Sequence, residues 1–433
     1  MAGQSGSINS RILTVAVVSC VFLAAAASAQ NWPRFRGPNG QGLSDAKGIP
    51  TQWSQEDYSW RITLPGKGHS SPVVWDGKVF VTGADAQSRR GVLLCVDGAD
   101  GSERWRREQD LAKYRLNSLN SYASPTPALD ADHVYLLWPG KDETILTALT
   151  HEGKEVWTTT LSGVHARHGK GSSPIVHGAH VIIAHEQEGK GQSVKSQWLA
   201  VNRMTGKVAW SVAEPPVKNS SYSTPCVYRD VEGRAQVVFA SNAHGLTGVD
   251  PQTGGVLWEV PAVLGDRVVS SPVIAGDFVI ATCGEGGRGK GLTAVRPARE
   301  GETVAARQVY RLEGKVVPYV PTSVAYQGLL FTFHDNGQIS CLDSDTGRTR
   351  WSEKPAGRFY GSPICISGIL YGVTTNGDVV VVRAGPSYEL LSVNPLGEKS
   401  HATPAVGDGR LYVRTFSHLV CIGGRGGKGH TED

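Results

Sequence analysis

Short apolar runs separated by turn residues recur along the chain in two alternating signatures. In the first, a Ser or Thr, usually followed by Pro, precedes an apolar run, a tight turn and a second apolar run, as in residues 71–81. Short apolar runs bounded by Gly, Pro, Asn or Asp are typical of β-strands. Copies of this signature begin at Ser71, Thr126, Ser173, Thr224, Ser271, Thr322, Ser362 and Thr403.

The second signature is an apolar strand, a polar turn, a Gly and a Trp four residues after the Gly. Gly favours a turn that needs a positive φ, and Asp or Asn at the start of the turn can bond its own backbone. These residues therefore mark turns and strand starts. The copies are Gly101 with Trp105, Gly153 with Trp157, Gly206 with Trp210, Gly254 with Trp258, and Gly347 with Trp351.

Together the signatures give four strands in about 40–55 residues, which is the period of a β-propeller blade. We therefore predict an all-β, eight-bladed propeller over residues 58–422. The eighth unit ends without its Trp strand, and the segment from Tyr58 to Leu64 supplies that strand from the N-terminal side. The fifth unit has Val309-Tyr310 and the seventh Leu390-Leu391 where Trp is expected, so seven blades plus an irregular one stay open. The Trp residues predicted to dock one blade on the next are Trp60, Trp105, Trp157, Trp210, Trp258 and Trp351.

Composition agrees with short strands rather than helices. The 433 residues include 53 Gly, 23 Pro and 11 Trp but only 2 Met, and 19% are charged. A formal net charge of +4 gives no basis for a nucleic-acid surface.

The N-terminus predicts export. An apolar run from Ile12 to Ala27 ends in Ala27-Ser28-Ala29, so we predict a signal peptide over 1–29, a leader over 30–57 and a periplasmic or cell-envelope location. A transmembrane anchor and lipoprotein processing at Cys20 are the alternatives. The six other cysteines lie singly in apolar runs, which favours buried thiols over disulfides. Residues 423–433 are predicted to be a Gly-rich disordered tail.

Two clusters invite a chemical interpretation. Residues 284–291 come within one residue of a phosphate-binding loop, but a strand rather than a helix follows, which favours a hairpin. Five histidines fall within one unit at spacings that do not fit one strand face, so we interpret them as a loop cluster and predict no metal site. They are His165, His168, His177, His180 and His185.

Tyr and His side chains stand two residues before several of the repeated hydroxyls, and they predict a binding site. His69, Tyr222, Tyr360 and His401 occupy this position, and Tyr122 lies nearby in the second unit. If the first strand of each blade lines the central channel, these rings would gather at one mouth and could grip an extended peptide or a small polar ligand. Packing of the blade loops on themselves is the alternative interpretation.

The runs from Leu246 to Trp258 and from Leu342 to Trp351 resemble the repeat of pyrroloquinoline-quinone (PQQ)-like propellers, and the similarity extends over nearly the whole predicted mature chain. One branch of that family contains quinone-dependent dehydrogenases, and another contains BamB-like, non-catalytic scaffolds. The dehydrogenase branch implies a vicinal Cys-Cys disulfide, a Trp under the quinone, a calcium held by Glu, Asn and Asp, and a catalytic Asp. This sequence has no adjacent cysteines and no D-x-D-x-D calcium run.

The prediction for function is therefore an exported, monomeric, non-catalytic propeller that binds protein or peptide partners of the cell envelope and needs no cofactor. The alternatives are a PQQ-dependent oxidoreductase and an envelope glycan-binding module. Exposed loop aromatics would mark the last of these, and Trp32 and Trp138 are the candidates.

Overall fold

A computed structural model describes residues 1–3, 30–189, 196–219, 221–297 and 305–424. The predicted signal peptide from residue 4 to Ala29, its alternative lipidation site Cys20, and the tail beyond Gly424 lie outside these ranges. Within them, the only helical segments are two short 3-10 turns, Pro38–Gly40 and Gln55–Asp57. No helix in this part of the chain has the length and apolar character needed to cross a membrane.

Eight antiparallel sheets, each with four strands in meander order, form the blades, as predicted. In every blade the innermost strand follows a repeated hydroxyl, and the outermost strand carries the Trp position. Blades 1 to 4 consist of Val73–Trp75, Lys78–Asp85, Arg90–Asp97, Glu103–Asp110; Ala128–Leu129, His133–Pro139, Glu143–Thr150, Glu155–Ser162; Ile175–His177, His180–His185, Ser196–Asn202, Val208–Glu214; and Cys226–Arg229, Ala235–Ser241, Gly245–Val249, Val256–Val260.

Blades 5 and 7 are complete, so the seven-blade alternative is excluded. Blade 7 carries an additional short strand from the leader, Leu43–Ser44, which pairs in parallel with its innermost strand. Blades 5 to 8 consist of Val273–Ala275, Phe278–Glu285, Arg288–Arg296, Arg307–Leu312; Val324–Tyr326, Leu329–Phe333, Ile339–Asp343, Thr349–Glu353; Ile364–Ile366, Ile369–Val373, Asp378–Arg383, Leu390–Pro395; and Ala405–Gly407, Arg410–Arg414, His418–Gly423, Tyr58–Thr63.

The N-terminal strand of blade 8 closes the ring. Tyr58–Thr63 pairs antiparallel with His418–Gly423, and Trp60 lies opposite Cys421. Both ends of the propeller are therefore held in one sheet, which removes an exposed edge where the chain would otherwise stop. The predicted closure is confirmed.

The wedge between neighbouring blades is filled by the repeated Trp. The indole N–H of Trp105, for example, donates to the carbonyl of His151 in the next blade at 2.9 Å. The repeated Gly of that next blade, Gly153, lies against the ring, and a Cβ there would come within 2.8 Å of it. Trp60, Trp157, Trp210 and Trp351 likewise donate to carbonyls in the following blade, and Trp258 donates to Gln236 within its own.

In the two blades that lack the Trp, other aromatic residues fill the space between neighbouring blades. In blade 5 the hydroxyl of Tyr310 donates to the carbonyl of Ser344 in blade 6 at 2.7 Å, which replaces the indole bond. At blade 7, Trp53 of the leader stacks on Tyr371 at 6.5 Å between ring centroids, and its backbone N–H donates a hydrogen bond to Oδ1 of Asn394. The leader thus supplies the aromatic ring that the repeat omits.

The structure also tests the predictions for the cysteines, the glycine-rich segment and two tryptophans. The six cysteines within the described ranges are free and buried, as predicted. Residues 284–291 form the tip of a β-hairpin in blade 5, with Gly286 and Gly287 as its turn, which confirms the hairpin interpretation. Trp32 and Trp138 are only 1% and 4% exposed, so the expectation that they are surface aromatics for a glycan is wrong for both.

Candidate functional site

The repeated hydroxyls form a hydrogen-bonded ring around the propeller axis. All of them except that of Ser71 accept the backbone N–H of the corresponding residue in the preceding blade, at 2.9 to 3.1 Å. Seven such bonds run from Ser71 round to Thr403. Because every bond joins two blades, the hydroxyl stabilises the ring at its narrowest point, by roughly 0.5–1.5 kcal/mol per bond.

The eighth position of the ring, between blades 8 and 1, is bridged by an arginine. The Oγ of Ser71 has no hydrogen-bond partner among the described residues. Beside it, Arg414 of blade 8 is fully buried and donates from Nη1 to the Oγ of Ser70 at 2.7 Å and to the carbonyl of Thr82 at 2.5 Å. Burial lowers the pKa of Arg414 to about 9, so the guanidinium is charged at neutral pH.

The leader closes one end of the channel. It pairs with the innermost strand of blade 1 through Trp32 and with that of blade 7 through Leu43–Ser44. Between these points Arg36 is fully buried and donates to the carbonyls of Thr322 and Ser323 in blade 6 at 2.5 and 2.7 Å. Arg34, 6% exposed, donates to the carbonyl of Pro225 in blade 4 at 2.6 Å. The leader therefore lies across this end of the channel and is bonded to blades 1, 4, 6 and 7.

A cavity of about 460 Å³ lies on the axis above the leader, with Phe35 as part of its lining. This volume falls in the range of ligand sites, about 300–1,000 Å³. His69, Tyr222, Tyr360 and His401 all line it, so the structure brings together four of the five predicted mouth residues. Tyr122 is not among them, because it is buried against Tyr114 and its hydroxyl donates to the carbonyl of that residue at 3.2 Å.

The position two residues before each repeated hydroxyl explains this outcome. All eight residues at that position line the cavity, including Ser124 in blade 2, whereas Tyr122 lies four residues before the hydroxyl. Reading the register strictly would have given Ser124 from sequence. The eight are His69, Ser124, Gly171, Tyr222, Val269, Val320, Tyr360 and His401.

One wall of the cavity is a cluster of rings. His69 lies 4.9 Å from His401, and Tyr360 meets His401 edge-on at 5.0 Å between ring centroids. Burial, together with the charge of neighbouring groups, lowers the pKa of His69 to about 3, and burial lowers that of His401 to about 4. Both imidazoles are therefore neutral at pH 7 and offer hydrogen bonds rather than charge.

The opposite wall carries an arginine and a carboxyl that sequence reasoning missed. Arg267 donates from Nη1 to the hydroxyl of Tyr319 at 3.2 Å, and its Nε has no partner among the described residues. Asp335 accepts the backbone N–H groups of Tyr319 and Val320, and burial raises its pKa to about 6. Neither Arg267 nor Asp335 lies in a repeat signature, so no sequence signal marks them.

The hydroxyls that the described part of the chain places in the lining differ from an activated nucleophile in their hydrogen bonds. Among the described lining residues, no hydroxyl is hydrogen-bonded to an imidazole or to a carboxylate, which is the contact that nucleophilic catalysis requires. His168 is the one member of the predicted histidine cluster that lines the cavity, where its Nδ1 lies 3.2 Å from Asn117. The others lie elsewhere. The backbone N–H of His165 donates to Gln187 in a loop. The loop interpretation is wrong for His177, His180 and His185, which lie on the first two strands of blade 3, the last two of them buried.

The residues also do not fit a quinone cofactor with its calcium. No Trp and no Cys lines the cavity within the described ranges, and Asp335 is the single lining carboxyl. In the same part of the chain, no three His, Cys, Asp or Glu side chains lie together in a way that could hold a metal ion.

Comparison with known proteins gives a family and a fold. The profile of a family described as "Outer membrane protein assembly factor BamB" matches residues 53–137, 89–319 and 314–394, which together span residues 53–394. A search of curated proteins gave no match.

Among solved structures, BamB from Moraxella catarrhalis matches with a TM-score of 0.60 and 14% identity, over 86% of this chain and 99% of that one. A quinohemoprotein alcohol dehydrogenase from Comamonas testosteroni matches with a TM-score of 0.61 and 15% identity, over 93% and 82%. The designed Ika8 protein matches with a TM-score of 0.59 and 10% identity, over 88% and 99%. At these identities the likeness shows the fold alone.

Proposed function

This chain belongs to the family of PQQ-like repeat β-propellers described as outer membrane protein assembly factor BamB, and on that premise we propose an exported, non-catalytic scaffold of the cell envelope. In this proposal the axial cavity binds a segment of a protein or peptide partner. The observation that carries it is the geometry of the cavity. It is closed by the leader, open at one mouth, and lined by His69, Tyr222, Tyr360 and His401.

Such a lining suits recognition. Tyr and His present flat apolar faces together with a polar atom, and they lose little conformational entropy when a ligand binds. Tyr222, Tyr360 and His401 each stand two residues before a hydroxyl whose hydrogen bond joins two blades, which favours a site that is formed before any ligand arrives. A preorganised concave site with few charged groups and no hydrogen-bonded nucleophile favours binding over chemistry.

The leader supports the part of the proposal that concerns export. The backbone N–H of Gln30 lies 3.2 Å from Oδ1 of Asp408, and its side-chain amide donates to Ser44 at 2.6 Å. Cleavage after Ala29 would turn that backbone nitrogen into an α-amino group beside the carboxylate of Asp408. The processed N-terminus would then be held by an ion pair on blade 8.

The experiment removes the two tyrosines of the mouth. We expect Tyr222→Ala combined with Tyr360→Ala to lose capture of envelope proteins in affinity pull-downs that the unaltered protein supports. Tyr222→Phe combined with Tyr360→Phe keeps the rings and should retain most of the capture. Tyr388→Ala, which alters a ring at the outer side of blades 6 and 7, is the matched control. Equal capture by the alanine double variant and the unaltered protein would refute the role of the mouth.

The second candidate is a PQQ-dependent oxidoreductase. Two observations favour it, namely the likeness to an alcohol dehydrogenase and the axial cavity. It is tested by incubating the purified protein with PQQ and Ca²⁺, followed by desalting. Retained quinone absorbance together with alcohol-dependent dye reduction would replace the scaffold proposal by this one. We expect neither signal, because the lining lacks the residues that the dehydrogenase branch implies.

A further inference from the structure

The ring of hydroxyls presents hydrogen-bond donors to the cavity. Each of the six repeated hydroxyls that line the cavity has one lone pair occupied by a backbone N–H from the preceding blade, and none of them donates its own proton to a described residue. A hydroxyl that already accepts one bond is polarised and becomes a better donor. The six are Thr126, Ser173, Thr224, Ser271, Thr322 and Ser362.

Three arginines bring positive charge to the same cavity. Arg267 stands in its wall, Arg414 is fully buried close to His69, and Arg36 of the leader donates to the carbonyl of the lining residue Thr322. Within the described ranges, the hydrogen bonds of these three guanidinium groups go to carbonyl and hydroxyl oxygens and none goes to a carboxylate. A buried charge without a counter-ion is costly, and an anion brought into the cavity would recover part of that cost.

The single acidic group in the lining does not cancel this field. Asp335 accepts hydrogen bonds from the backbone N–H groups of Tyr319 and Val320, so these donors already offset part of its negative charge. Low-dielectric walls concentrate the potential of the arginines inside a narrow cleft. The interior of the cavity therefore favours a negative group.

The shape selects how a polypeptide can enter. The leader closes the lower end of the channel, so an extended chain cannot thread through, and a chain end, a side chain or a tight turn must enter from the mouth to reach the hydroxyl ring. A free C-terminus carries both features, because it ends a chain and bears a carboxylate.

We infer that the axial cavity is a carboxylate receptor that takes the C-terminal carboxylate of a partner polypeptide, with the hydroxyl ring and Arg267 as its donors and the rings at the mouth against the preceding residues. This inference rests on the proposed binding function and names the chemistry that the site recognises. A free small carboxylate offers the same group, and the experiment separates these two sources.

Calorimetric titration of the full chain with three probes tests the inference. The probes are the peptide acetyl-Ala-Ala-Ala-Phe with a free α-carboxylate, the same peptide as its C-terminal amide, and benzoate. We expect the acid form of the peptide to bind at least about tenfold more tightly than the amide, since a charge-assisted hydrogen bond contributes roughly 1.5–3 kcal/mol. Benzoate should bind more weakly than the peptide acid because it lacks the preceding residues.

Two variants locate the contact. Arg267→Gln removes the charge and should reduce affinity for the acid form about tenfold while leaving the amide form unaffected. Arg229→Gln, on the opposite, leader-side surface, is the matched control and should change neither. Thr224→Val should weaken the acid form and Thr224→Ser should restore it. Thermal melting shows whether each variant is folded. If Thr224→Val does not fold, Arg267→Gln still tests the inference.

The outcomes separate this inference from the proposed function. Equal binding of acid and amide, no binding of any probe, or an unchanged Arg267→Gln variant would overturn the carboxylate receptor even if partners are still captured. Binding of benzoate but not of either peptide would support the receptor and overturn the peptide-binding scaffold instead. Tighter binding of the peptide acid supports both.

Discussion

Replacement of Gly101 by Ala is expected to destabilise the ring more than the same change at Gly77. Both glycines lie in turns of blade 1 and have similar positive φ, 76° and 69°. A Cβ built at Gly77 meets no atom within 4 Å, whereas one at Gly101 comes within 2.7 Å of Cδ2 of Trp60. The two substitutions therefore share a backbone cost and differ in one contact, which joins blade 1 to the N-terminal strand of blade 8.

The size of the difference follows from these contacts. The left-handed backbone costs an Ala roughly 1–2 kcal/mol at either position. Trp60 cannot retreat freely, because its indole N–H is bonded to the carbonyl of Gly98 at 3.1 Å and its ring packs on Tyr412. Overpacking of such a site costs roughly 1–3 kcal/mol. We expect Gly77→Ala to lower the free energy of unfolding by about 1–2 kcal/mol and Gly101→Ala by about 2–5 kcal/mol.

Urea unfolding followed by far-UV circular dichroism measures both losses, since this signal does not depend on the Trp being altered. A double-mutant cycle with Trp60→Leu isolates the contact. If the additional loss of unfolding free energy in Gly101→Ala comes from a clash with the indole of Trp60, it should largely vanish once Trp60 is replaced. Equal losses at Gly77 and Gly101, or an additional loss that persists without the indole, would refute the reasoning.

Further predictions concern protonation, the blade 5 wedge and the thiols. Because the pKa values of His69 and His401 are lowered to about 3 and 4, the unfolded chain binds protons below pH 6.5 that the folded chain does not. Unfolding free energy should therefore fall as pH drops from 7 to 4, and less steeply in His69→Gln; identical profiles would contradict this. Tyr310→Phe should cost roughly 1 kcal/mol in urea unfolding by losing the bond to Ser344, whereas Tyr388→Phe should cost none. Iodoacetamide at pH 8 should leave the native thiols unmodified and add six groups after urea, as counted by mass spectrometry, and a seventh would show that Cys20 is retained.

The architecture could be predicted from sequence because its determinants are local and repeated. A hydroxyl, a turn and a Trp recur in each unit, and each has the same partner in the next blade, so counting the copies counts the blades. The count was ambiguous only at blades 5 and 7, where the Trp is missing and a different residue fills the space between blades. Tyr310 makes the same kind of bond from within its own strand, whereas Trp53 comes from the leader, and no spacing rule connects the leader to blade 7.

The cavity was predictable only in part, for the same reason. Residues fixed by the repeat register, such as His401 and Tyr360, could be assigned to the mouth before the structure was known. Arg267 and Asp335 stand outside the register, on loops whose direction depends on how neighbouring loops pack. Tyr122 shows the limit of approximate alignment, since an error of two residues separates a lining position from a buried one.

The leader is the clearest case in which tertiary context overrides the sequence pattern. Arg34 and Arg36 belong to a residue type that is almost always exposed, yet both are buried. The cause is the ring itself, because innermost strands are edges whose carbonyls point toward the axis and lack partners in their own sheets. A guanidinium carries five donors in a planar fork, so Arg36 can satisfy Thr322 and Ser323 in blade 6 together with Gly40 and Gln41 of the leader. Lysine has only three donors on one atom, and so a basic plug built from lysine could not close the channel in this way.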